Sequence, residues 1–376
     1  MTRSSRSARR EEDVAALLVF IEPTPYVVRL IEELRRDWRG PVKPVFLTGE
    51  ATQPWGGGSE HEILPASAPR AIWRMVSLLS TLKPKIVFVA GWGQIKILIL
   101  IVLSRALGLT VIAASDTWTS EAGALKRTLK RVVFKLISHF APGGMRQEKM
   151  LLRHGVPKRR VSKSNMTVDV STMVRFYDGL DAERVTQFRE TIGISPDDVV
   201  LLHVGRLILE KDVSTLITSF QRLPPRWQVH LLIVGDGPER AVLEDQAASS
   251  SNIKFLGRFQ EEKLWLCYAA ADVFVGASVK EGWGLVVNEA MAASLPVIVT
   301  ESFGCADDLV SNDITGFVVP PRNPVAMATA MAQLIADRSK RTQLGRTGRS
   351  KILGWTIEQQ ANNVATAWRK AYHARP

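Results

Sequence analysis

The sequence predicts an α/β chain of two doubly wound domains, and three observations carry that prediction. Short β-branched and apolar runs alternate with helical patterns along the chain, which is the signature of βαβ units whose parallel sheets are covered on both faces. With 376 residues, 46% of them hydrophobic, the chain can bury two cores. Between the two series, Asn165 to Asp181 has no sustained apolar period, which sets the interdomain linker there. The expected domains are therefore residues 1–175 and 182–355, with residues 356–376 forming a helix that packs back on the first.

In the first half the expected strands are Ala15 to Ile21, Val42 to Leu47, Ile86 to Ala90, Thr110 to Ala114 and His139 to Pro142. In the second they are Val199 to Val204, Val229 to Val234, Ile253 to Leu256, Val273 to Ala277, Pro296 to Val299 and Gly316 to Val319. Thr356 followed by Gln359 makes a capping-box start for a last helix running to about Tyr372, with Trp368 on its apolar face.

Composition narrows the function classes. The net charge of +12 sits wholly in the first half: residues 1–180 hold 28 Lys and Arg against 15 Asp and Glu, and residues 181–376 hold 21 against 22. Such asymmetry suggests an anionic partner for the first half, whether membrane surface, phosphorylated acceptor or nucleic acid; the plainer alternative is a soluble charged surface. Met1 to Arg10 is basic and serine-rich, but no signal-peptide apolar region precedes Glu11-Glu12-Asp13. The most apolar run, Ile95 to Leu103, is far short of the roughly 20 residues that cross a bilayer, so a buried or interfacial helix is expected. Cys267 and Cys305 have neither metal-ligand spacing nor a secretory framework, which fits a reducing, cytoplasmic setting.

In an open α/β sheet, ligands bind beyond the carboxyl ends of the strands, so the residues just after each strand matter most. After Val199 to Val204 comes Gly205-Arg206, with Lys211 close to a helix start at Asp212. Arg206 offers a planar fork for phosphate oxygens and Lys211 a point charge, although both also read as ordinary surface charges. Gly235-Asp236-Gly237-Pro238 and Gly257-Arg258 follow the next two strands; each alone is common turn chemistry. The fourth turn runs from Glu281 through Gly282, Trp283 and Gly284 into a helix carrying Leu285, Val286 and Glu289. A helix start supplies free N–H groups and partial positive charge for a diphosphate. An ionised Glu289 can accept two hydrogen bonds from a ribose diol, and Glu281 is left to face a sugar.

Taken together, Gly205, Arg206, Lys211, Gly235-Asp236-Gly237-Pro238, Gly257 and the Glu281–Glu289 pair resemble glycosyltransferase family 4, over roughly residues 199–320. That resemblance implies the GT-B fold, two Rossmann-like domains facing each other across a cleft, and a retaining transferase using a UDP- or GDP-sugar. It implies that Arg206 and Lys211 contact the diphosphate, Glu281 the sugar and Glu289 the ribose, with the amides of Gly284, Leu285 and Val286 near the phosphates. The chain departs from the family at Phe303-Gly304-Cys305-Ala306-Asp307-Asp308, where Asp308 replaces a glutamate, and at Glu22-Pro23-Thr24-Pro25-Tyr26, where a glycine pair is usual. A histidine usual after a first-domain strand is also missing; Asp116 stands nearest its place, where a helix-capping role is equally open.

The acceptor implied is a glycan or lipid-linked hydroxyl, in polysaccharide or glycolipid synthesis. Lys126, Arg127, Lys130, Arg131 and Lys135, interleaved with Leu125, Leu129, Val132, Val133, Phe134 and Leu136, make a basic amphipathic helix. It suits docking on an anionic inner leaflet; a core-packed helix with a solvated basic face is the alternative. No Asp-x-Asp motif ends a strand, and Asp197-Asp198 and Asp307-Asp308 read as surface or cap aspartates, so no metal and no cofactor is expected. The competing readings are an inactive GT-B scaffold and a basic nucleic-acid-binding protein; for the latter no recognition motif is present. A dinucleotide oxidoreductase lacks its Gly-x-Gly-x-x-Gly turn.

Overall fold

The computed structural model describes residues 14–48, 62–118 and 123–374; the basic start, Met1 to Arg10, lies outside the described residues. The chain divides into two compact units, residues 1–167 with 357–376, and residues 168–356.

The first unit holds a five-stranded sheet of order β2-β1-β3-β4-β5. The strands are β1 (Ala16–Phe20), β2 (Val42–Phe46), β3 (Ile86–Ala90), β4 (Thr110–Ser115) and β5 (His139–Pro142), each expected from its apolar run and all paired in parallel. Helices α1 (Pro25–Asp37), α2 (Ala68–Leu82), α3 (Ile95–Ala106), α4 (Ala124–Leu136) and α5 (Met145–Arg153) make the crossovers.

Two cores flank this sheet. One packs Met75, Ile97, Leu100, Phe134 and Phe140 around Val87 and Val111. The other is aromatic: Trp38 and Trp368 meet edge to face at 5.4 Å, Trp368 lies 5.7 Å from Phe88, and Trp38 Nε1 donates to the Val14 carbonyl at 2.9 Å.

The second unit holds a six-stranded parallel sheet of order β11-β10-β9-β6-β7-β8. Its strands are β6 (Val199–Val204), β7 (Val229–Val234), β8 (Ile253–Gly257), β9 (Val273–Gly276), β10 (Val297–Thr300) and β11 (Gly316–Val319). The strand order turns back on itself between β6 and β9, which pair as Leu201 with Val273 and Leu202 with Phe274. That reversal is the switch point at which loops diverge and leave a crevice.

The helices here are α6 (Val170–Asp178), α7 (Ala182–Thr191), α8 (Val213–Gln221), α9 (Arg240–Ala247), α10 (Glu261–Ala269), α11 (Leu285–Ala292), α12 (Ala306–Leu309), α13 (Pro324–Ala336) and α14 (Arg338–Ile352). Arg189 of α7 is a hub for the edge where β6 and β9 begin. It donates to the carbonyls of Ala270 and Pro196 at 2.9 Å and bonds Asp272 at 3.0 Å. Asp272 in turn accepts from the Val200 amide at 2.9 Å.

Two expectations need correction. The units divide at Thr167/Val168, inside the stretch 165–181 expected as linker, but most of that stretch is structured: Val170 to Asp178 is helix α6, capped by Asp169 accepting from the Thr172 amide. Its nine residues bury only Val170 and Met173, too few to repeat a period, and it is held by packing on α11. Asp308, read as a surface or cap residue, is buried in the short α12.

The last helix, α15 (Ile357–His373), lies with the first unit, where it packs on α1 and the β4–β5 edge. Its Trp368 is fully buried there. Replacing Trp368 with Ala is expected to cost about 3–5 kcal/mol of stability, because the surroundings cannot collapse into the space. Urea unfolding followed by circular dichroism checks this, and a loss under about 1 kcal/mol would mean the aromatic core tolerates the void.

Candidate active site

The turns after β6, β7 and β8 are laced backbone to backbone. The Gly205 amide donates to the Val234 carbonyl at 3.0 Å, Leu207 to Asp236 at 2.9 Å, and Gly235 to Gly257 at 2.8 Å. A Cβ on Gly235 would lie 1.8 Å from the Gly205 carbonyl oxygen, so only glycine allows this approach. Asp236 spends one carboxylate oxygen on the Gly237 amide at 2.8 Å. Arg206 and Arg258 are exposed at the rims of their turns.

The loop after β9 joins this frame across the switch point. The Val279 amide donates to the Glu210 carbonyl at 2.9 Å. Through that tie Lys211 and Glu281 form an ion pair in which both side chains are largely buried, and Ser278 Oγ donates to the same Glu281 oxygen at 3.3 Å. The two sequence-predicted residues, 70 positions apart, thus meet at the point where β6 and β9 diverge.

Gly284, at φ 96°, makes the turn into α11. Phe303 lies against it and against Gly276, where an added Cβ would come within 2.5 Å of the ring in either case. By helix geometry the amides of Leu285 and Val286 have no partner within α11, and both residues are partly exposed. Trp283 corrects an expectation: it was read as donor-binding, but its side chain is only 2% exposed. The indole donates to Asn288 Oδ1 at 2.9 Å and stacks on Trp355 at 5.6 Å. The ring anchors the loop and has no face to offer a ligand.

Glu289 projects from α11 into a cluster the sequence did not reveal. The Tyr268 hydroxyl of α10 donates to Glu289 Oε2 at 2.6 Å. Burial raises the Glu289 carboxyl to about 7, and the Tyr268 hydrogen bond works against that rise. His203, near the end of β6, was also missed. Its Nδ1 lies 3.0 Å from the Val275 carbonyl, an acceptor, so that nitrogen carries the proton. Burial lowers its pKa to about 4, leaving it neutral, and its Nε2 is sealed beside Gly205 without a partner among the described residues. The trace His203 left in the sequence is a polar ring inside an apolar run.

Asp116 lies in the first unit at the carboxyl end of β4. It is exposed, its carbonyl accepts from the buried Gln147 amide at 3.0 Å, and Thr117 Oγ1 donates to its carboxylate at 3.3 Å. The remaining candidates, Gly205, Arg206, Lys211, Asp236, Gly257, Arg258, Glu281, Gly282, Gly284, Leu285, Val286 and Glu289, all belong to the second unit.

A buried carboxyl whose folded pKa lies above its unfolded value costs stability as pH rises between the two. Glu289→Gln is therefore expected to melt at a higher temperature than the wild type at alkaline pH, with the gap closing as pH falls into the ordinary carboxylate range. Differential scanning fluorimetry across that span checks the sign; a gap independent of pH would remove the titrating role of Glu289.

Comparison with known proteins fits this geometry. Residues 185–351 match the family model described as "Glycosyl transferases group 1". The chain is 35% identical over 161 residues to an uncharacterized glycosyltransferase of Methanocaldococcus jannaschii, covering 42% of this chain and 41% of the relative. It is 34% identical over 189 residues to a GDP-mannose-dependent alpha-(1-6)-phosphatidylinositol monomannoside mannosyltransferase of Mycobacterium tuberculosis, covering 47% and 48%. It thus spans less than half the length of these curated relatives. The crystal structure of Anabaena HepE in complex with UDP superposes with a TM-score of 0.78 at 17% identity, over 94% of this chain and 99% of that one. Over residues 185–351 the chain is therefore similar to the glycosyl transferases group 1, and its fold is GT-B.

Proposed function

We propose that the protein is a retaining glycosyltransferase that moves a sugar from a UDP- or GDP-sugar to a hydroxyl of a glycan or lipid-linked acceptor. The observation that carries this reading is the Lys211–Glu281 pair beside the exposed Arg206 and the start of α11, at the switch point of the second sheet. The pair keeps two charges neutralised in the free protein. An arriving diphosphate draws Lys211 towards its oxygens and frees Glu281 for the sugar hydroxyls. Arg206 grips the phosphates with its fork, the first amides of α11 face them, and Glu289 accepts from the ribose. As the bond to the anomeric carbon breaks, the negative charge growing on the leaving diphosphate is held by Arg206, Lys211 and the helix start. No metal is given a part. Asp116 is assigned to the acceptor side.

Two comparisons support the donor and acceptor classes. HepE was solved with UDP, and the mycobacterial relative is named for GDP-mannose and a phosphatidylinositol mannoside. An inactive scaffold is less favoured, because the charged groups of the site are all in place.

A lipid-linked acceptor also fits the surface of the first unit. On α4, Phe134 is buried while Leu129 and Val132 are 61% and 51% exposed among Arg127, Lys130 and Arg131. Trp73 of α2 is 71% exposed, and Ile95 and Val102 of the adjoining α3 are more than half exposed. Among the described residues no helix is long and apolar enough to cross a membrane. We assign this mixed basic and apolar face to peripheral docking on the anionic inner leaflet.

Lys211→Met is expected to lower kcat/KM for the working nucleotide sugar by about two to three orders of magnitude. Arg206→Lys should fall well short of wild type because the fork is lost. Chelator should leave the wild-type rate unchanged. Transfer assays against a panel of nucleotide sugars decide: unchanged rates in Glu281→Ala and Glu289→Ala together would remove this reading. Vesicle sedimentation tests the surface. Leu129→Glu with Val132→Glu should weaken binding to anionic vesicles about tenfold or more, and equal recovery of the wild type in supernatants with and without anionic lipid would refute docking.

A further inference from the structure

Glu289 is held by groups to which the donor reading gives no task. Tyr268 is fully buried, its ring lies 6.3 Å from Phe274, and its hydroxyl is committed to one oxygen of Glu289. Tyr177, near the end of α6, points a hydroxyl into the same cluster, where it is sealed from solvent without a hydrogen-bond partner among the described residues. The Glu289 charge acts on both phenols, opposing their ionisation. Tyr268 of α10 and Tyr177 of α6 interact with this carboxyl, and the groups acting on the two phenols in turn are Cys267 of α10 and, for Tyr177, Arg349 of α14, which is paired with Asp178 at 2.5 Å. A sealed hydroxyl with no partner is rare in a folded protein and calls for a reason.

We infer that Tyr268 and Tyr177 are positioning residues for Glu289. Tyr268 fixes one carboxylate oxygen in the free protein and turns the other towards the ribose. Tyr177 holds its hydrogen bond in reserve and donates it to the same carboxylate once the ribose draws that group into its bound orientation. This rests on the assignment of Glu289 to the ribose of the donor, and it adds how that carboxylate is kept ionised and aimed. Hydrogen bonds to the charged form of a carboxyl favour that form, so the phenol pair offsets the burial that would otherwise leave Glu289 protonated and unable to accept twice.

Isothermal titration with UDP, GDP and ADP separates the outcomes, using the full chain as wild type, Tyr268→Phe and Tyr177→Phe from acidic to alkaline pH. Wild-type affinity for the preferred diphosphate should rise through neutrality as Glu289 ionises. In Tyr268→Phe the midpoint of that rise should move to higher pH, with affinity down about tenfold at neutral pH and largely recovered in alkali. A merely structural role for Tyr268 would weaken binding equally at every pH, and one for Tyr177 would lower the melting temperature of Tyr177→Phe without ligand. Tyr177→Phe deletes an unpartnered hydroxyl, so its melting temperature without ligand should not fall, while its affinity drops about fivefold across the range. If the wild type binds none of the three diphosphates, the donor reading fails and this inference with it. If the wild type binds and Tyr268→Phe keeps the wild-type midpoint, or Tyr177→Phe keeps the wild-type affinity, the positioning role of that tyrosine alone is overturned.

Discussion

Every pairing in both sheets is parallel, and the rest of the arrangement depends on that constraint. Parallel strands cannot be joined by tight hairpins, so each must be followed by a crossover, and all the strand ends of one sheet open on the same edge. In the second unit the order reverses between β6 and β9, so the Arg206 turn and the Glu281 loop leave their strands just past the point where those strands cease to pair. The charged groups can therefore face each other from the short turns that leave the two strands. Rigidity follows from the same geometry, because the turns are held by main-chain hydrogen bonds that few side-chain changes would disturb.

Within that frame, the two glutamates have opposite electrostatic settings. Glu281 has a lysine against it, a pairing that offsets the cost of removing both charges from water. Glu289 has no cation paired with it among the described residues and depends on a phenol, so burial dominates and its proton is held far more tightly than that of an ordinary carboxyl. The first is held by an opposite charge. The second is altered only by what reaches its remaining acceptor positions. One helix start, with Phe303 wedged against its glycine, lies between the two.

Much of this was legible in the sequence, for a physical reason. Strands covered on both faces must be apolar along their whole length, so Val199 to Val204 or Ile86 to Ala90 could be read directly, and ligand groups follow strands wherever the sheet is parallel. What failed was direction and long-range contact. Chain order does not say which way an aromatic ring points, so Trp283 was placed with the ligand although Asn288 and Trp355 hold it inside. Helix α6 was taken for linker because two buried side chains in nine residues make no period. Tyr177 and Tyr268 carry no local mark at all, since their meaning depends on a carboxylate brought to them from another helix.

The return of the last helix to the first unit also governs how the protein is made. Trp368 completes the aromatic face around Trp38 and Phe88, yet the whole of residues 168–356 is translated between them. On the ribosome, the first sheet must wait with that apolar face uncovered while the second unit emerges and folds. Until the final residues arrive, the nascent chain exposes a surface that a chaperone or a neighbouring chain could occupy. The order of synthesis thus makes the second unit the first to reach its finished form.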